Sequence, residues 1–81
     1  MRHENGRSGI VSGTAQANLA VLYETMGDKG ENQRDNYQRS IACTDAALEV
    51  FEAAGASQYV AIATKNRGRV QAKLAALGEE D

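Results

Sequence analysis

Along this chain, apolar residues recur at helical spacing in three blocks separated by polar turns. Ala15, Leu19, Leu22, Tyr23 and Met26 share one face of a first helix predicted from about Gly13 or Thr14 to Met26, with Gly27 as its C-terminal stop. Small alanines interrupt this helix, as though it had to lie close to a neighbour. The polar stretch "GDKGEN" makes the turn that follows. Tyr37, Ile41, Thr44, Leu48 and Phe51 advance in alternating steps of four and three, the seam of a longer helix from about Asn32 to Ala54, which Gly55 ends. Ser57 is placed to cap a third helix striped by Tyr59, Ala63, Asn66, Val70, Leu74 and Leu77. Residues 1–12 read as a flexible N-terminal tail, 13–77 as one helical domain and 78–81 as an acidic C-terminal tail.

Composition agrees with this pattern. The 81 residues include no proline, abundant alanine and only four aromatics, a mixture that favours helix over strand, so the expected fold is all-α, three antiparallel helices. A chain this short buries a smaller share of its surface than a larger one, which leaves a thin stability margin and points to help from a partner surface. Its single cysteine, Cys43, forms no internal disulfide, which fits a reducing compartment; the cytoplasm is the default location. No apolar run approaches the roughly 18 residues of a membrane span, and "MRHENGRSG" lacks the apolar middle of a secretory signal. A soluble protein with no membrane partner is expected.

Charge is unevenly placed. Residues 31–54 sum to −3, whereas residues 55–77 carry Lys65, Arg67, Arg69 and Lys73 with no acid. Neighbouring segments are therefore electrostatically complementary.

Sliding the chain against itself by 48 positions pairs Ala15 with Ala63, Asn18 with Asn66, Ala20 with Gly68 and Leu22 with Val70. Helices copied at a fixed period, with another helix between, are the signature of a helical repeat array. Leu19, Ala20, Tyr23 and Gly27, followed by Ser40, Ala47 and Leu48 in "RSIACTDAALEVF", resemble the two helices of a tetratricopeptide repeat, and Asn66 and Gly68 stand in register for a further first helix. The likeness covers about 14–77 and is closest to the longer-period bacterial variety. It departs from the family at the 48-residue period, the missing closing proline, Thr44 in place of an aromatic, and Arg67 and Gln71 in place of Leu and Tyr. A generic three-helix bundle is the alternative architecture.

What the resemblance implies is a protein–protein interaction scaffold whose first helices line a groove. Carried over by position, Thr14, Ala17, Val21 and Glu24 face Ile62, Lys65 and Arg69 across it. Lys65, Arg69 and Lys73, four apart, line one stripe about 12 Å long, and this suggests an acidic or carboxylate-bearing peptide as ligand. The same cations also suit a solvated face balancing the acidic second helix. One and a half repeats leave apolar faces uncovered, so self-association or membership of a longer array is expected, and a structural or regulatory homo-oligomer without a foreign peptide is the alternative function.

Other chemistry finds little support. The only histidine, His3, sits in the presumed tail, leaving Cys43 without a base and any metal without a ligand set. "GDKG" is too short to cradle a phosphate and follows no strand. Paired acids such as Asp35 and Asp45, or Glu49 and Glu52, lack a cleft that would shift one of them. A single tyrosine, Tyr59, within the basic segment argues against nucleic acid. The chain is therefore read as non-enzymatic, with no cofactor and no metal.

Overall fold

The computed structural model describes residues 5–80, with side-chain surroundings for 9–78; residues 1–4, including His3, and Asp81 lie outside it. It is all-α. Helix α1 spans Asn5–Asp28, α2 spans Gln33–Ala53 and α3 spans Ser57–Glu80. Among the described residues no helix is long and apolar enough to cross a membrane.

Both turns follow from glycine. After α1, Gly30 takes φ 91°, the Gly30 N–H donates to the Gly27 carbonyl at 2.9 Å and the Glu31 N–H to the Met26 carbonyl at 3.2 Å. After α2, Gly55 takes φ 70°, and the Gly55 and Ala56 N–H groups donate to the Glu52 and Phe51 carbonyls at 3.1 and 2.9 Å. Each is a Schellman termination, with the left-handed residue at the position where glycine carries no Cβ penalty. Asn32 at the start of α2 is also left-handed, and the buried Asn36 side chain donates to the Glu31 carbonyl at 2.7 Å, fixing the entry of the chain into that helix.

Helix α2 is the common support. It packs antiparallel to α1 on one side and to α3 on the other, while α1 and α3 make little direct backbone contact. The α1–α2 joint is built from small residues: the Phe51 ring lies against Gly13, the Tyr37 ring against Gly27, and the Ser40 hydroxyl donates to the Ala20 carbonyl at 2.7 Å. The α2–α3 joint uses larger ones, with Phe51 and Tyr59 ring centroids 5.1 Å apart and Ala63 packed with Phe51 and Ala47. Ala47 is fully buried at the centre, where a short side chain lets all three helices approach.

The structure differs from the sequence expectation at α1. The helix begins at Asn5 rather than near Gly13, and Gly27 lies inside it, buried against Tyr37, instead of ending it. Of the expected face, Ala15, Leu19 and Leu22 are exposed and Tyr23 and Met26 half-buried; the buried face is Gly13, Ala20, Glu24 and Gly27. Close approach of the two backbones required the small side, so the bulky stripe points away. At the other end α3 continues through Gly78 to Glu80, which makes the expected acidic tail helical over those residues.

Candidate functional site

Because α1 and α3 both run antiparallel to α2, they lie parallel to each other, and residues 45–49 apart in sequence meet across the space between them. That space is a groove with α2 as its floor. Toward the start of α3 it opens into an apolar recess of about 200 Å³ lined by Thr14, Ala17, Phe51, Tyr59, Ile62, Ala63 and Asn66. Ile62, 56% exposed, and the half-exposed Tyr59 form its rim. Farther along, the groove narrows between Val21 and Arg69, above Ser40 and Thr44 of α2. Both hydroxyls below this narrow stretch are satisfied, Ser40 by the Ala20 carbonyl and Thr44 by the Ser40 carbonyl at 2.9 Å.

A charged clasp closes the far end. The Arg69 guanidinium donates from Nε and Nη2 to the two oxygens of Glu24 at 2.7 and 2.6 Å, and its Nη1 donates to Asn66 Oδ1 at 2.9 Å. Lys73 Nζ donates to Glu24 Oε2 at 2.7 Å and to both oxygens of Asp28 at 3.0 Å. Asp28 Oδ1 also accepts from the Tyr37 hydroxyl at 2.6 Å, which ties the clasp to α2.

These contacts set the local electrostatics. The Glu24 side chain is only 8% exposed, and the hydrogen bonds from Arg69, reinforced by Lys73, hold its carboxyl at about 2 against the opposing effect of burial. The Tyr37 hydroxyl, then Lys73, pull Asp28 below its ordinary value, and the same contact raises Tyr37. Arg69 and Lys73 are both raised, chiefly by the Glu24 carboxylate. A buried carboxylate is tolerated here because two cations with fixed donors satisfy it.

The structure brings seven of the eight residues expected at a site together along one groove, in unequal roles, and leaves Lys65 outside its lining. Thr14, Ala17 and Ile62 line the recess, Val21 lines the narrow stretch, and Glu24, Arg69 and Lys73 form the clasp. Arg69 and Lys73 are thus already engaged by carboxylates of α1, and Arg67 by Asp45 of α2. Lys65 stands exposed and makes no ion pair among the described residues. Phe51, Tyr59 and Asn66, which complete the recess, belonged to the expected helix seams, and Asp28 to the expected turn. The spacing of Glu24 and Asp28, four apart like Arg69 and Lys73, was the available signal for the clasp.

Cys43 is half-buried, and burial pushes its thiol up, away from thiolate chemistry. Among the described residues no three His, Cys, Asp or Glu side chains gather as a metal site. Set against known proteins, the chain matches no family model, no curated protein and no solved structure.

Proposed function

We propose that this chain is a non-enzymatic protein–protein interaction module that holds a peptide segment in the groove between α1 and α3. The observation that carries the reading is the apolar recess. At about 200 Å³ it falls below the roughly 300–1,000 Å³ of small-molecule and cofactor sites and suits one aromatic or branched aliphatic side chain of a partner. Three of its walls, Thr14, Ala17 and Ile62, are residues that the tetratricopeptide resemblance places in a ligand groove.

Lys65 supplies the second element of recognition. It lies one helical turn beyond Ile62 and beside Asn66, and it is the α3 cation left without a carboxylate partner among the described residues. The preferred segment therefore carries a large apolar residue for the recess and an Asp, Glu or terminal carboxylate within reach of Lys65. The apolar anchor supplies most of the affinity and the exposed charge supplies orientation and encounter rate.

Fluorescence anisotropy with labelled peptides, each pairing a Phe or Leu with an acid three or four places away, tests this at low and high salt. Micromolar binding is expected for the matched peptides, reduced at least tenfold by Ile62→Asp. Lys65→Gln is expected to weaken binding modestly and to remove its salt dependence. Absence of binding by every such peptide, or binding indifferent to Ile62→Asp, overturns the proposal.

A further inference from the structure

The 48-residue offset links buried faces to exposed ones. Helix α1 receives α2 on Gly13, Ala20 and Gly27; the residues 48 places later, Ala61, Gly68 and Ala75, form an uncovered stripe on α3, where a Cβ added to Gly68 meets nothing within 4 Å. The converse also holds. Helix α3 packs on α2 through Tyr59, Ala63 and Val70, and the residues 48 places earlier, Val11, Ala15 and Leu22, are exposed on α1, Leu22 at 55%. Leu19, another exposed apolar residue, extends that stripe. The two uncovered faces thus differ in kind. One is a row of small residues, the type of surface that accepts a helix within this same molecule; the other is a row of large apolar residues, the type that is inserted.

We infer that copies of this chain join head to tail, the apolar stripe of α1 from one copy lying in the small-residue stripe of α3 from the next. The α1 stripe carries no charge and the α3 face carries one, Lys65, between Ala61 and Gly68, so no like-charge pair opposes the joint and salt has little effect on it. Both stripes lie on the sides of their helices turned away from α2, so each added copy continues the packing series that runs α1, α2, α3. The joint uses neither wall of the apolar recess. Because the two surfaces are unlike, the contact is heterologous and grows into an open chain or a closed ring instead of stopping at a two-fold dimer. Area sets its strength. The stripes run from Val11 to Leu22 and from Ala61 to Ala75, about 17 and 21 Å, and at a width of about 10 Å meet over ~200 Å² per copy, below the roughly 800 Å² per partner of a standard interface. Association is therefore reversible, with an expected onset between about 0.1 and 1 mM.

Sedimentation and light scattering of the full chain from 10 μM to 1 mM give the test. The average mass of the wild type is expected to rise past that of a dimer, at low and high salt alike. Leu22→Glu removes the inserted face and Gly68→Glu blocks the receiving face. Both positions are exposed, so helical circular dichroism is expected to stay near wild type, melting to stay near wild type for Leu22→Glu and to be no lower for Gly68→Glu, and each variant alone to remain monomeric. Mixed in equal amounts, they retain one good face each of opposite kind and are expected to form a one-to-one dimer and nothing larger. A wild type monomeric at 1 mM, a plateau at two copies, or a mixture that fails to pair overturns the inference.

Discussion

At Gly13 and Gly27 an added methyl carbon would sit 2.5 Å from Phe51 Cε1 and 2.6 Å from Tyr37 Cε1. Both rings are buried, and Tyr37 is further held by its hydrogen bond to Asp28, so neither moves aside cheaply. Two effects compete when glycine becomes alanine. Helix propensity gains about 1 kcal/mol, whereas overpacking costs about 1–3 kcal/mol, and with the rings fixed overpacking wins. Gly13→Ala and Gly27→Ala are each expected to lower stability by about 1–2 kcal/mol, seen as a fall of several degrees in Tm. Gly68→Ala reverses the balance. With open space at that position, propensity alone acts, and thermal melting at a few micromolar, where copies stay apart, is expected to show a gain of about 0.5–1 kcal/mol.

Of the three elements, α2 was the most legible in the sequence. Tyr37, Thr44 and Phe51 of its expected seam are buried, its ends fall within a residue of the expected ones, and the turn after it stands at the expected Gly55, whereas the turn before it is made by Gly30 instead of Gly27. Helix α3 was legible through Ala63 and Val70, which are buried as expected. Helix α1 was misread for a physical reason. Hydropathy weights bulk, so Leu19 and Leu22 outrank Gly13, Ala20 and Gly27, yet the face with the least bulk brings two backbones closest. The start of the chain reads as tail because it is polar, glycine-containing and without helical periodicity. Tertiary contact overrides that pattern: Gly9 lies beside Val50, with its Cβ position 3.5 Å from Val50 Cγ1, and Ile10 is half-buried. The positions that line the groove were legible, Lys65 excepted. What each cation does was not, because the Arg69–Glu24 pairing spans 45 residues and depends on how two helices are set beside each other. The demand for small residues extends to α2 itself. Ala47 has no exposed surface and forms with Phe51, and with Ala63 of α3, the cluster against which Ala17 of α1 packs, so Ala47→Leu is expected to wedge both joints and cost about 1–3 kcal/mol in urea titration.

For the molecule as a whole, the clasp couples the two outer helices, and acid should loosen it. Glu24 is held at about 2 where an ordinary glutamate titrates near 4.5, so its contribution is complete above about 4.5 and is lost as pH falls from there toward 2; the lowered Asp28 acts in the same direction. Lys73, being raised, keeps its charge through the usual lysine range and adds no loss near neutrality. The partly exposed partners screen the pair, so Glu24→Gln is expected to cost about 1–2 kcal/mol at neutral pH. That gap should vanish by about pH 2, and a difference independent of pH between 7 and 2 would assign the effect to packing instead of charge. The arrangement of α2 between two helices that scarcely touch each other carries one more consequence. Apart from the clasp of Glu24 and Asp28 with Arg69 and Lys73, neither outer helix has a second neighbour to hold it, so solvent reaches the backbone of each through partial openings that leave α2 paired with the other. In deuterated buffer, the last amides to exchange are those in the middle of α2, from Ser40 to Ala47, which become free only when both flanking helices have let go.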